Sequence, residues 1–256
     1  MLDKCSIVTD FGCKTGCEYC IWKKHTLSKN SHKNFVGHML TSEYWKKVRF
    51  IFENSKKVDI TGGGDPFYNI NSEQSKMFYD RLCNTYEGVH HKPIISVHTS
   101  ILTNVHDFMD QYVWHADSIA SVFSDKYQNA LLKIEGRDWL KIKKRVVLVA
   151  DNELISDIYN YPQQFNSVIH ILRINNIEFS IRQCIDGFDK NNAVSSMIKF
   201  EEFDNVHTNN WKTITGYIFD KINSLENKVH TRFIKQDDYS ALYFMPNGQL
   251  YNKYLF

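Results

Sequence analysis

Cys5-Ser6-Ile7-Val8-Thr9 leads into Asp10-Phe11-Gly12-Cys13-Lys14-Thr15-Gly16-Cys17-Glu18-Tyr19-Cys20. Further on, Val58-Asp59-Ile60 leads into Thr61-Gly62-Gly63-Gly64-Asp65-Pro66. Each stretch opens as a short apolar, β-branched run, the pattern of a buried strand, and ends in a glycine-bearing loop. Similar runs recur at 94–98, 118–123, 145–150 and 178–185, rich in Val, Ile and Phe. Between them lie stretches with helical spacing. Residues 41–54 place Tyr44, Val48, Ile51 and Phe52 on one face, and 72–86, 105–112 and 163–171 read similarly. Strands alternating with helices predict parallel βαβ units, and six such strands predict an α/β fold of open or partial barrel form.

The rhythm breaks after Asp186. Residues 211–222 read as a helix. Runs at 241–245 and 249–254 flank Pro246-Asn247-Gly248, a strong turn signal, and predict a terminal β-hairpin. The chain therefore divides into a core over 1–186 and a C-terminal extension over 187–256 that covers the core or lines its site.

Three of the six cysteines, Cys13, Cys17 and Cys20, fall in the loop after the first strand. In parallel α/β folds, sites form at the carboxyl ends of strands. Gly12 and Gly16 let the backbone curl so that N–H groups face an anionic centre. Two metal centres suit the spacing. Cys17-x2-Cys20-x4-His25 matches the start of a zinc knuckle, with Cys13 completing a Cys3His set. An iron–sulfur cluster is the other. Such clusters usually take four thiolates. Here Cys5, Cys83 and Cys184 are scattered, so a three-cysteine cluster would leave one iron open to a small molecule.

Cys-x3-Cys-x2-Cys after a first strand resembles the signature of the radical S-adenosylmethionine (SAM) superfamily. The resemblance implies a 4Fe-4S cluster on Cys13, Cys17 and Cys20, with SAM on the open iron. It implies reductive cleavage of SAM to methionine and a 5′-deoxyadenosyl radical that abstracts hydrogen from a substrate. By the same resemblance Tyr19, just before the last cysteine, lies by the adenine. The Thr61–Pro66 stretch resembles the family's Gly-Gly-Glu-Pro motif. That match puts Gly63, Gly64, Asp65 and Pro66 at the SAM amino group, with the shorter Asp65 in place of the usual Glu. No Gly-Lys-Ser/Thr follows, so the stretch is not a phosphate-binding loop. The family's (βα)6 partial TIM barrel would span roughly residues 7–185.

The resemblance also suggests SAM-ribose contacts from Ser121 and Ser124, read as the end of strand four, and a SAM-carboxylate contact from Arg182 on strand six. Turn or N-cap roles for the serines, and a structural ion pair for the arginine, are the alternatives. His98, at the end of strand three, is a candidate substrate contact or a structural histidine. Basic runs over 23–33, beside Trp22, and over 137–145 suit a nucleic acid or phosphorylated substrate, or plain solvation.

Net charge is +2, which gives no global polyanion-binding signature, and hydrophobic residues at 43% supply a sizeable core. No apolar run approaches the roughly 20 residues of a spanning helix, and the N-terminus lacks a signal-peptide pattern. These features predict a cytoplasmic protein that does not enter membranes. No second cysteine cluster is present, so an auxiliary cluster is not expected. The compact form resembles enzymes that act on a small molecule, nucleotide or nucleobase, and also glycyl-radical-enzyme activases that act on a partner protein. A flavodoxin- or ferredoxin-like electron donor is implied. The competing classes are a zinc-knuckle nucleic-acid-binding module and an electron-transfer protein.

Overall fold

The computed structural model describes residues 1–14, 30–103, 108–134, 142–150, 161–183, 231–234 and 242–251. For a few of these, including 180–183 and 231–234, it describes the backbone alone. In chain order the elements are β1 (Cys5–Thr9), α1 (Ser31–Met39), α2 (Ser42–Asn54), β2 (Lys57–Gly62), α3 (Glu73–Glu87), β3 (Ile94–Thr99) and β4 (Gln111–His115). They continue with α4 (Ile119–Phe123), α5 (Asp125–Leu132), β5 (Lys143–Ala150), α6 (Pro162–Ile174), β6 (Glu178–Gln183), β7 (Thr231–Ile234), β8 (Leu242–Phe244) and β9 (Leu250–Tyr251). The strands are mostly parallel, so the fold is α/β. No helix among the described residues is long and apolar enough to cross a membrane.

Two compact units form. One comprises Met1–Trp114, Lys133–Lys143 and Tyr239–Phe256; the other comprises His115–Leu132 and Lys144–Asp238. In the first unit β1, β2, β3 and β4 lie side by side in chain order, all parallel. The C-terminal hairpin joins the free edge of β1, with β8 parallel to β1 and β9 antiparallel to β8. In the second unit β6 pairs in parallel with both β5 and β7.

Local chemistry explains the helix boundaries. Thr41 caps α2 by accepting from the Tyr44 N–H at 3.3 Å, and Ser72 caps α3 by accepting from the Ser75 N–H at 3.2 Å. Tyr44, Val48, Ile51 and Phe52 on α2, and Phe78, Tyr79, Leu82 and Tyr86 on α3, form buried stripes at helical spacing. They cover the sheet face that carries Cys5 and Ile7 of β1, Val58 and Ile60 of β2, and Ile95 and Val97 of β3, all with no exposed surface. Phe244 of β8 reaches the same layer, with its ring centroid 4.8 Å from that of Tyr44. In the second unit α6 packs on β6 through Phe165 and Phe179, and Arg145 of β5 pairs with Glu178 of β6.

The opposite face of the first sheet has a different character. The register aligns Ser6, Asp59, Ser96 and Gln111 in one row across β1, β2, β3 and β4. All four are buried. A parallel sheet usually carries apolar residues on both faces because helices cover both. Here one face is apolar under helices and the other bears a buried polar row.

The expected strand at 118–123 is a correction. That segment is helix α4, capped by Ser118, whose Oγ accepts from the Ser121 N–H at 3.1 Å. Its buried residues, Ile119 and Val122, are spaced by three, as a helix requires. The fourth strand is Gln111–His115, within and beyond the segment read as a helix at 105–112. Phe108, Met109 and Tyr112 match helical spacing, but each of Gln111 through Trp114 is buried, and alternation is invisible in a strand buried on both sides. Three further elements were not anticipated: α1, whose start falls in the expected basic loop, α5 and β7. The expected helix at 211–222 lies outside the described residues.

Candidate functional site

The loop after β1 and the turn after β2 meet at the carboxyl edge of the sheet. The Gly63 N–H donates to the Thr9 carbonyl at 2.6 Å, and the Asp65 N–H donates to the Gly12 carbonyl at 2.8 Å. Gly12 has φ +93°, in the left-handed region that side-chain-bearing residues rarely adopt. A Cβ on Gly64 would stand 2.0 Å from the Gly12 oxygen. The two segments therefore touch backbone to backbone.

The β1 loop is anchored from below. Asp10 Oδ1 accepts from the Gly12 N–H at 3.1 Å, and His32 Nδ1 lies 2.7 Å from the Asp10 carbonyl oxygen, which ties the start of α1 to the loop. Phe11 is buried, edge-on to Phe35 at 5.1 Å and to Phe78 at 5.5 Å between centroids. Cys13 follows this anchor directly and is exposed.

Asp65 ties the β2 turn to the tip of β3. Its Oδ1 accepts from the Phe67 N–H at 2.9 Å and from the Thr99 hydroxyl at 2.6 Å. Its Oδ2 accepts from both the N–H and the hydroxyl of Ser100, each at 2.6 Å. The carboxylate is buried and uses both oxygens on protein donors. The Pro66 carbonyl accepts from the Tyr79 hydroxyl of α3 at 2.7 Å. Beyond the tip, the Tyr112 hydroxyl donates to the Ile101 carbonyl, and Trp114 Nε1 donates to the Ser100 carbonyl at 3.3 Å.

The polar row forms a charged network lower on the sheet. Asp59 pairs with Lys4, lies 3.2 Å from His98 Nε2 and lies 3.6 Å from Lys57 Nζ. Gln111 Oε1 accepts from the Ser96 hydroxyl at 2.8 Å and from Lys57 at 3.1 Å. Burial alone would raise the Asp59 carboxyl, but His98, Lys4 and Lys57 overcome it and hold the group below the usual carboxylate range. Burial lowers the His98 pKa against the pull of Asp59, favouring the neutral imidazole.

Of the residues singled out in sequence, Cys13, Gly63, Gly64, Asp65 and Pro66 come together at this edge. Cys17, Cys20 and Tyr19 lie outside the described residues, as do Cys184 and most of the two basic runs. Ser121 sits within α4 and Ser124 at its end, where the Ser124 carbonyl accepts from the Gln128 N–H at 2.9 Å; neither lies on a strand. Arg182 is on β6, and its backbone alone is described. The sequence alone assigns no role to Thr99, Ser100 or Asp59. The visible signal was a polar run at the carboxyl end of a strand, and for Asp59 a lone charge between two apolar residues. Among the described residues no three His, Cys, Asp or Glu side chains group as metal ligands. No protein-family model matches the chain, and no curated protein matches it.

Proposed function

We propose that the chain is a radical SAM enzyme with one 4Fe-4S cluster on Cys13, Cys17 and Cys20. One observation carries this. The loop bearing Cys13 and the glycine turn at Gly62–Asp65 are distant in sequence, yet two backbone hydrogen bonds join them at the carboxyl edge of a parallel sheet. A zinc knuckle on the cysteine loop gives no reason for a glycine turn beside it. A cofactor held between cluster and turn does.

Cys13 fits a ligand role, being exposed just past a loop that Phe11 and Asp10 pin to the core. Bound there, the cluster would supply the electron that cleaves SAM to methionine and a 5′-deoxyadenosyl radical. The protein's own part would be to hold SAM, with the Gly63–Asp65 backbone binding its amino group. An external electron donor of the flavodoxin or ferredoxin type completes the requirement.

The barrel form belongs to this proposal. Strands β1 to β4 added in chain order, with α2 and α3 packed over one face, support a (βα)6 barrel winding. The buried polar row of Ser6, Asp59, Ser96 and Gln111 suits a face turned to a barrel interior that binds a polar substrate. A small polar molecule or nucleotide is the substrate class favoured by that surface.

The test is anaerobic. The protein is reconstituted with iron and sulfide, reduced with dithionite and given SAM, and 5′-deoxyadenosine is measured by mass spectrometry. Its formation, lost on replacing any of the three cysteines, supports the proposal. A colourless protein that binds one zinc and leaves SAM intact refutes it.

A further inference from the structure

We infer that the Asp65 carboxylate does not touch the cofactor but makes Asp65 a positioning residue, and that Thr99 and Ser100 at the tip of β3 are its working partners. The inference rests on the radical SAM proposal for what is positioned, and on geometry for how.

A carboxylate that contacts a ligand's ammonium needs an oxygen directed at the ligand. Both oxygens of Asp65 are directed instead at the Phe67 N–H, the Thr99 hydroxyl and the two donors of Ser100, within a buried pocket. Charge-assisted hydrogen bonds of this length are strong, and the buried acceptor makes each one costly to lose. The main chain of the same residue points the other way, its N–H donating to the Gly12 carbonyl. Asp65 thus links three segments: the Cys13 loop through its backbone, its own turn through Phe67, and the β3 tip through its carboxylate. Ser100 is held in turn by Trp114 Nε1 on its carbonyl. The position of the Gly62–Gly64 backbone is set by this linkage, and the backbone is what remains to meet the cofactor.

A direct contact and a positioning role predict different couplings. If Asp65 works through Ser100, the two residues serve one interaction, and their substitutions are not additive. The experiment measures SAM affinity by calorimetry on the anaerobic, cluster-loaded protein. It compares wild type, Asp65→Asn, Ser100→Ala, the double variant, and Ser100→Thr, which keeps a hydroxyl. Each single loss is expected to raise the Kd about tenfold, with the double variant no worse than about threefold beyond either, and Ser100→Thr near wild type. Hydrogen exchange of the peptide spanning Gly62–Phe67, measured without cluster, is expected to speed up in Ser100→Ala.

A silent Ser100→Ala beside a weakened Asp65→Asn overturns the inference, because it puts the Asp65 carboxylate on the cofactor. A fully additive, roughly hundredfold double variant also overturns it. If Asp65→Asn does not fold, Ser100→Ala, its threonine rescue and Thr99→Val decide alone, and unchanged affinity and exchange in both overturn it. Wild-type protein that carries the cluster yet binds no SAM defeats the functional proposal instead, while the exchange measurement still tests the clamp.

Discussion

Gly64 stands so close to Gly12 that a methyl group on it would lie 2.0 Å from the Gly12 carbonyl oxygen. The obstacle is backbone, and the Gly12 loop is itself pinned by Phe11 and Asp10, so it has little freedom to retreat. Gly64→Ala is therefore expected to push the β2 turn off the β1 loop. A stability loss of about 1–3 kcal/mol fits overpacking of this kind. The Asp65–Gly12 hydrogen bond should loosen with it. Urea unfolding and SAM titration check both effects, and a variant that matches wild type in both would show that the two segments are not wedged as described.

Replacing Cys13, Cys17 or Cys20 singly with Ala is expected to abolish a full 4Fe-4S complement. Iron and sulfide analysis, with the visible absorption of the reconstituted protein, reads this directly. Retention of four iron atoms by any one variant would remove that cysteine from the ligand set.

Cys5 and Cys13 should differ sharply as nucleophiles in the metal-free protein. Cys5 lies on β1 with no exposed surface, and burial pushes its thiol pKa up to about 12. The thiolate is the reactive form. Cys13 is exposed in its loop. Iodoacetamide at neutral pH should modify Cys13 within minutes and spare Cys5 until the protein is unfolded, as peptide mass mapping would show. Labelling of Cys5 at the rate of Cys13 in folded protein would contradict the strand assignment.

Stability should fall on acidification in two steps. The folded His98 pKa is lowered from an unfolded value of about 6.5. Below pH 6.5 the unfolded chain takes up a proton that the folded site resists, so stability present above 6.5 is lost as pH falls towards the folded value. The folded Asp59 pKa is also lowered, from about 3.9, so its contribution is lost only below that pH. Urea midpoints at pH 8, 7, 6 and 5 should decline less in His98→Gln than in wild type. Parallel declines would show that His98 is not the group responsible in the upper step.

Much of the architecture was legible in the order of residues because local physics controls it. The strand at Cys5–Thr9 and the helix faces of Tyr44–Phe52 and Phe78–Tyr86 follow from apolar periodicity and from Thr41 and Ser72 as caps. The hairpin around Pro246-Asn247-Gly248 follows from turn chemistry, with Gly248 at φ +72°. Helix α4 and strand β4 were exchanged because 111–114 is buried throughout and 118–123 is short, so neither period stands out.

For the site, the residue types and spacing of Cys13, Cys17, Cys20 and Gly62–Pro66 determined which chemistry to look for. Only the tertiary structure decided that the two segments touch, that Asp65 spends its carboxylate on Thr99 and Ser100, and that Asp59 meets Lys4, Lys57 and His98. The reason is range. Capping, turns and periodicity act within a few residues and are written in the chain, whereas these contacts join strands distant in sequence and depend on register, which exists only once the sheet has formed.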